Sequence, residues 1–176
     1  MKLMLRFVVV FCFAVIVACP SSAAGEMSFF DFLTNQTIGR PAADFTLQTT
    51  QGKESNMTQF RAGKKAIIFF WATWCPHCRV ALKDLNQNLA QIEAKGIKII
   101  PVDLGEALEE VRAYIQKNKI AMDIFLDKES SLAEPYNIIG VPTFYFVDEA
   151  GKISAVLHSL PKDLETAFSK SRLKSP

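Results

Sequence analysis

The sequence predicts an α/β domain built on a mixed sheet that is buried on both faces. Three observations carry that prediction. The run Ala66-Ile67-Ile68-Phe69-Phe70-Trp71 is continuously apolar and rich in β-branched and aromatic residues, as a central strand covered on both sides must be. After it, apolar side chains recur at Cys78, Leu82, Leu85, Leu89 and Ile92, which is one face of a helix that Lys95-Gly96 ends. Residues 97–104 then form a second buried strand, and two such strands joined through a helix make a right-handed parallel βαβ unit.

The remaining elements extend this core on either side. Residues 44–49 read as a strand, Gln51-Gly52-Lys53 as a turn and residues 55–57 as a short return strand, with a helical turn from Thr58. A second helix is expected over 106–118, with Leu108, Val111 and Ile115 inward, then a short strand at 124–126 and a helical turn at 131–136. Residues 140–147 and 153–157 form an antiparallel hairpin around Asp148-Glu149-Ala150-Gly151, in which Phe144, Tyr145 and Phe146 suit a buried strand. A final helix begins near Lys162, with Leu164, Ala167 and Phe168 on one face. No internal repeat or low-complexity tract interrupts the chain.

The first residues have a different character. Met1-Lys2-Leu3-Met4-Leu5-Arg6 precedes an apolar run over 7–18 and a small, polar zone, the arrangement of an export signal. The run is shorter than the roughly 20 residues of a bilayer span. Ser22-Ala23-Ala24 offers cleavage before Gly25, while Ile16-Val17-Ala18-Cys19 is similar to a bacterial lipobox in which Cys19 would be acylated; both outcomes stay open. The expected partition is 1–24 as signal (1–18 if Cys19 is acylated), 25–40 as a lead-in and 41–176 as one folded domain. Phe29, Phe30, Phe32 and Leu33 cluster in the lead-in and are expected to pack on the domain. The location implied is outside the cytoplasm.

Composition narrows the function. The chain has 176 residues with 20 basic and 18 acidic side chains, a net charge of +2 with no basic stripe, which argues against nucleic acid as a partner. Of its four cysteines, Cys12 and Cys19 lie in or beside the signal, leaving Cys75 and Cys78 to the folded domain. Two cysteines with His77 and His158 do not furnish a closed four-ligand zinc cage, so neither metal nor cofactor is expected. His158, near the end of the last strand, reads as a surface or edge residue.

A CxxC that follows a buried strand and opens a helix has a specific chemistry. Unpaired backbone N–H groups and the positive end of the helix dipole stabilise an anion at the first cysteine, which makes Cys75 the nucleophile. Cys78, one turn deeper on the buried face, is set to attack a mixed disulfide formed at Cys75. Between them stand Pro76 and His77. A protonated imidazole about 5 Å from the thiolate would contribute roughly 3 kcal/mol at an effective dielectric near 20, before solvent screening reduces it. Stabilising the thiolate stabilises the reduced form and makes the disulfide more oxidising.

Trp71-Ala72-Thr73-Trp74-Cys75-Pro76-His77-Cys78, followed further on by Gly140-Val141-Pro142-Thr143, resembles the thioredoxin superfamily. Gly39-Arg40-Pro41-Ala42-Ala43-Asp44-Phe45 and the extra strand and helix before Gly140 resemble its TlpA/ResA branch, extracytoplasmic thiol–disulfide reductases of which some serve cytochrome c maturation. The resemblance implies a thioredoxin-like three-layer fold, a central mixed sheet flanked by helices with an N-terminal hairpin and a βα insertion. It implies a cis peptide at Pro142, a substrate segment pairing with the Val141 backbone, and Trp74 beside it. It further implies cysteine-containing protein substrates and a membrane or periplasmic redox partner. Two carboxylates of close relatives are replaced, one by Phe69 and one by Ala81.

Other chemistries compete. Pro76-His77 resembles the dipeptide of DsbA-like oxidases, which would reverse the electron flow. A peroxiredoxin would need a hydroxyl such as Thr73 directed at its cysteine, and a copper-binding module would use Cys75, Cys78 and His77. Haem attachment is excluded because Arg79 stands where CxxCH requires histidine.

Overall fold

The computed structural model describes residues 37–169; the signal region, Cys12, Cys19 and the aromatic cluster of the lead-in lie outside these residues. The continuous apolar run forms β3 (Lys65–Trp71), and β4 (Ile97–Leu104) lies parallel to it in the register Lys65 to Ile97 through Trp71 to Asp103. Around this pair stand β1 (Thr46–Thr49), β2 (Glu54–Asn56), β5 (Phe125–Asp127), β6 (Thr143–Val147) and β7 (Ile153–Leu157). They form one seven-stranded mixed sheet in the order β2-β1-β5-β4-β3-β6-β7. Only the β3–β4 and β4–β5 pairs are parallel.

Alternation along β3 divides the core. Ile67, Phe69 and Trp71 join Leu82, Leu85, Ile92, Val111 and Phe168 on one face, while Ala66, Ile68 and Phe70 join Phe45, Met57, Phe125 and Tyr136 on the other. The first face is covered by α2 (Pro76–Gln87), α3 (Leu89–Ala94), α4 (Leu108–Asn118) and α5 (Leu164–Ser169), and the second by α1 (Met57–Arg61) with the turns that follow β5. Burying each large apolar side chain of this strand stabilises the fold by roughly 1.5–3 kcal/mol. This is the thioredoxin-like arrangement that the sequence predicts. Gly39 N–H bonds the Ile153 carbonyl at 2.7 Å and Ile153 N–H bonds the Arg40 carbonyl at 2.9 Å, so the end of the lead-in already pairs with the sheet.

Two local expectations are corrected. The helix predicted to run unbroken to Lys95 is interrupted at Asn88, where φ is −100° and ψ is 8°. The Asn88 side-chain amide donates to the Asp84 carbonyl at 2.9 Å, and Asn86 spans outward to Lys119 and Ala121. Short amides that compete for backbone groups end a helix in this way, yet Ile92 beyond the break stays in the same core. Residues 131–136 form the expected helical turn, closed by the Tyr136 N–H on the Leu132 carbonyl at 3.1 Å and opened by Asp127, which accepts from Ser131 and Leu132 at 2.8 Å. The first strand starts at Thr46 because Asp44 caps the neighbouring helix, accepting from the Thr58 N–H at 3.1 Å and hydroxyl at 2.9 Å.

The hairpin between β6 and β7 is tied down by a buried guanidinium. Arg61 donates to the carbonyls of Lys64 at 2.9 Å and Asp148 at 3.0 Å, with longer bonds to Glu149. Gly151 has φ of +81°, and a Cβ there would lie 2.9 Å from Arg61 Nη2. Gly151→Ala therefore combines backbone strain with displacement of a bonded side chain. It should lower unfolding free energy by about 2 kcal/mol. Urea denaturation of the two proteins measures this, and an unchanged midpoint would contradict the account.

Candidate active site

Because β3 ends buried and α2 begins almost at once, the intervening loop must place its side chains against the core. Cys75 is the N-cap of α2, with Pro76 as the first helical residue, where a missing N–H costs nothing. Cys75 and Cys78 are joined as a disulfide with their Cα atoms 5.2 Å apart. The Cys75 Sγ accepts the Cys78 N–H at 3.2 Å and lies 3.7 Å from the Val141 carbonyl oxygen. Cys75 retains 4% exposure and Cys78 none, so an incoming group can reach only the first sulfur. A cysteine pair held in this way is suited to thiol–disulfide exchange.

The structure brings the predicted site residues together from two parts of the chain. The Val141–Pro142 peptide is cis and lies against Cys75 from the loop before β6. Trp74 is exposed beside the disulfide, as are Val80 on α2 and Ile139 before the proline, and these are the large apolar side chains exposed among the described residues. His77 is exposed on the first turn of α2. It lines a groove of about 870 Å³ together with Val80, Pro142, Phe144, His158 and Leu160. No group of three His, Cys, Asp or Glu side chains among the described residues has a metal-holding arrangement.

The position of Phe69 is wholly apolar: its ring stacks on Phe144 at 4.5 Å and lies 6.4 Å from Trp71. Carboxylates nevertheless lie behind the site, supplied by β4 and the loop after it. Glu106 is buried and accepts both the Thr73 N–H and the Thr73 hydroxyl at 2.5 Å, tying the segment before Cys75 to the loop after β4. Asp103 is fully buried at the end of β4, in register with Trp71, and neither its oxygens nor the Trp71 indole N–H meets a partner of ordinary hydrogen-bond geometry. Burial, and after it the neighbouring Glu106 carboxylate, pushes the Asp103 carboxyl up to about 9. Asp103 is thus a neutral acid at pH 7.

Sequence reasoning passed over both residues, although one signal was open to it. A carboxylate inside an otherwise apolar strand must be neutral or compensated, which marks Asp103 for attention. Nothing local marks Glu106, whose partner Thr73 comes from another loop. His158 has the exposed edge position expected of it, just past the outer strand β7. It also faces the proline loop and the groove.

The raised Asp103 pKa has a consequence for stability. The folded chain keeps a proton that the unfolded chain, at 3.8, has released, so stability is complete below about pH 4 and is lost as pH rises toward about 9. One such group gives a slope of up to about 1.4 kcal/mol per pH unit within that window. Asp103→Asn removes it. The melting temperature of the variant should exceed that of the parent by more at pH 8 than at pH 4.5, and a pH-independent difference would refute this assignment.

Comparison with known proteins places this geometry among relatives. Residues 38–156 match the AhpC/TSA family. The thiol-disulfide oxidoreductase ResA of Geobacillus thermodenitrificans is 27% identical over 139 residues, which is 77% of this chain and 79% of that protein. The thioredoxin-like protein YneN of Bacillus subtilis is 33% identical over 121 residues, 67% of this chain and 69% of that one. Among solved structures, a thiol:disulfide interchange protein of the thioredoxin family from Chlorobium tepidum superposes with a TM-score of 0.65 at 26% identity, covering 76% of this chain and 96% of that one. The likeness runs through the sheet and the cysteine-bearing helix alike, and on that ground the chain belongs to the AhpC/TSA family, as a thioredoxin-fold thiol–disulfide oxidoreductase of the ResA type.

Proposed function

We propose that the chain is an extracytoplasmic protein-disulfide reductase in which Cys75 attacks and Cys78 resolves. The unequal setting of the two sulfurs carries this reading: one caps a helix beside an accessible groove, and the other is sealed behind it. In the reduced protein the helix N-terminus and the Cys78 N–H favour a thiolate at Cys75. That thiolate attacks a substrate disulfide, forming one S–S bond to the substrate and releasing the other substrate sulfur as a thiolate. The Cys78 thiolate then attacks Cys75 Sγ, the second substrate thiolate leaves and takes up a proton, and the Cys75–Cys78 disulfide results. Two electrons pass from the dithiol to the substrate, and a redox partner's dithiol restores the pair by the reverse exchange.

The surrounding residues serve that sequence of steps. Pro76 starts α2 without an unpaired N–H, and a charged His77 would favour the thiolate. Trp74, Val141 and Pro142 border the substrate segment, which pairs in strand fashion with the Val141 backbone. The partition into 1–24 as signal (or 1–18 with lipid on Cys19), 25–40 as lead-in and 41–176 as domain puts this chemistry outside the cytoplasm, in the periplasm or cell envelope. No helix among the described residues is long and apolar enough to cross a membrane. The resemblance to TlpA/ResA proteins supports cysteine-containing proteins as substrates, with cytochrome c maturation as the pathway.

The exposed His77 after Pro76 favours a second reading, an oxidase or isomerase of secreted proteins. Peroxide reduction has less support, because the Thr73 hydroxyl donates its proton to Glu106 and not toward Cys75. Two measurements decide. The Cys75–Cys78 couple equilibrated with glutathione should lie near the thioredoxin value of about −270 mV, whereas a value near about −120 mV would make the protein an oxidase. Cys75→Ser should abolish disulfide reduction, and Cys78→Ser should accumulate mixed disulfides with cysteine-containing envelope proteins. Unimpaired turnover by Cys75→Ser would end the proposal.

A further inference from the structure

The imidazole of His158 stands just past the end of β7, across the ladder from Thr143 at the start of β6. Its Nδ1 lies 3.1 Å from Thr143 Oγ1 and 3.4 Å from the Pro142 carbonyl oxygen. Thr143 is buried, and its hydroxyl proton is committed to the Gly140 carbonyl at 2.7 Å. A hydroxyl has one proton, so toward His158 the Thr143 oxygen can only accept; a carbonyl oxygen can only accept in any case. Both neighbours of Nδ1 are therefore acceptors. The proton of the neutral ring must sit on Nδ1, shared between them, and Nε2 carries the free lone pair.

This tautomer links two parts of the site. On one side, Nδ1–H and the Thr143 hydroxyl hold the backbone of 140–143, the loop whose Val141 carbonyl lies 3.7 Å from Cys75 Sγ. On the other, His158 is exposed and lines the groove beside the disulfide, with His77, Val80 and Leu160 among its neighbours there. We propose that His158 is a positioning and recognition residue: its Nδ1–H fixes the proline loop against Cys75, and its Nε2 accepts a hydrogen bond from the cysteine-bearing segment that enters the groove. The substrate class is thereby narrowed to extended segments that present an N–H or O–H donor to His158 and apolar residues to Val80, Pro142, Phe144 and Leu160, with Lys83, Asp84 and Gln87 lining the polar part of the groove. The inference rests on the oxidoreductase reading given above.

The two halves of the role separate on mutation. Asparagine keeps an amide donor near the position of Nδ1 but has nothing at Nε2, whereas alanine removes both. With a disulfide-closed peptide as substrate and dithiothreitol as reductant, His158→Ala should lower kcat and raise KM, each by about three- to tenfold, the worth of one hydrogen bond. His158→Asn should restore kcat to within about twofold of the parent while KM stays raised. Independently of turnover, the ¹⁵N shifts of the His158 ring in the oxidised protein should report the Nδ1–H tautomer above the imidazole pKa. An Nε2–H tautomer, or an Asn variant whose kcat equals that of the Ala variant, would overturn the positioning role. A wild-type KM in the Asn variant would overturn the acceptor role. The Cys75→Ser control keeps the cases apart: its activity bears on the oxidoreductase reading and the ring tautomer does not.

Discussion

The junction between β3 and α2 is the constraint on which the rest of the site depends. β3 is buried along both faces, so the chain leaves the sheet at Trp71 with no freedom to swing outward, and α2 must pack its Cys78, Leu82 and Leu85 face back on the same core. The residue at the turn becomes the helix N-cap. That residue is Cys75, whose sulfur then occupies the place of the oxygen that a serine or aspartate cap would supply, accepting an N–H from the first turn. Polarity of the two sulfurs follows from geometry: capping brings one to the edge, and the helical period buries the other.

Around this junction the protein spends its buried polar groups on holding loops in place. Glu106 anchors Thr73 ahead of the disulfide, Thr143 anchors Gly140 beyond it, and Arg61 fastens the β6–β7 hairpin on the far side of the sheet. Each meets backbone groups that would otherwise be left without partners, Glu106 and Arg61 across a large sequence separation and Thr143 within its own loop. Asp103 is the exception, a buried carboxyl whose oxygens meet no partner of ordinary hydrogen-bond geometry and which burial and the neighbouring Glu106 keep neutral. Asp103 and Glu106 thus put two carboxyl groups at the end of β4 and in the loop after it, while the positions of Phe69 and Ala81 carry none.

Legibility in the sequence followed the range of the interaction. Strand β3, helix α2 and the hairpin of β6 and β7 could be read because their signals are local: continuous apolar runs, a 3.6-residue period and a turn containing Gly151. The break at Asn88 was hidden since its cause is a pair of side-chain bonds, one of them to a loop more than thirty positions away. Asp44 looked like strand because only the folded hairpin shows Thr58 against its carboxylate. Among site residues, Cys75, Cys78 and Pro142 carry motifs, whereas Glu106 and His158 carry none.

By itself the sequence determined the fold class, the pairing of Cys75 with Cys78 and the chemical class of thiol–disulfide exchange, for these rest on periodicity and on a spacing that places both sulfurs on one helical turn. Only the tertiary structure decided which neighbours tune and frame that pair. The meeting of Val141 with Cys75, of Glu106 with Thr73 and of His158 with Thr143 depends on strand order and register across the sheet, and long-range pairing of this kind leaves no local trace in the residues that make it.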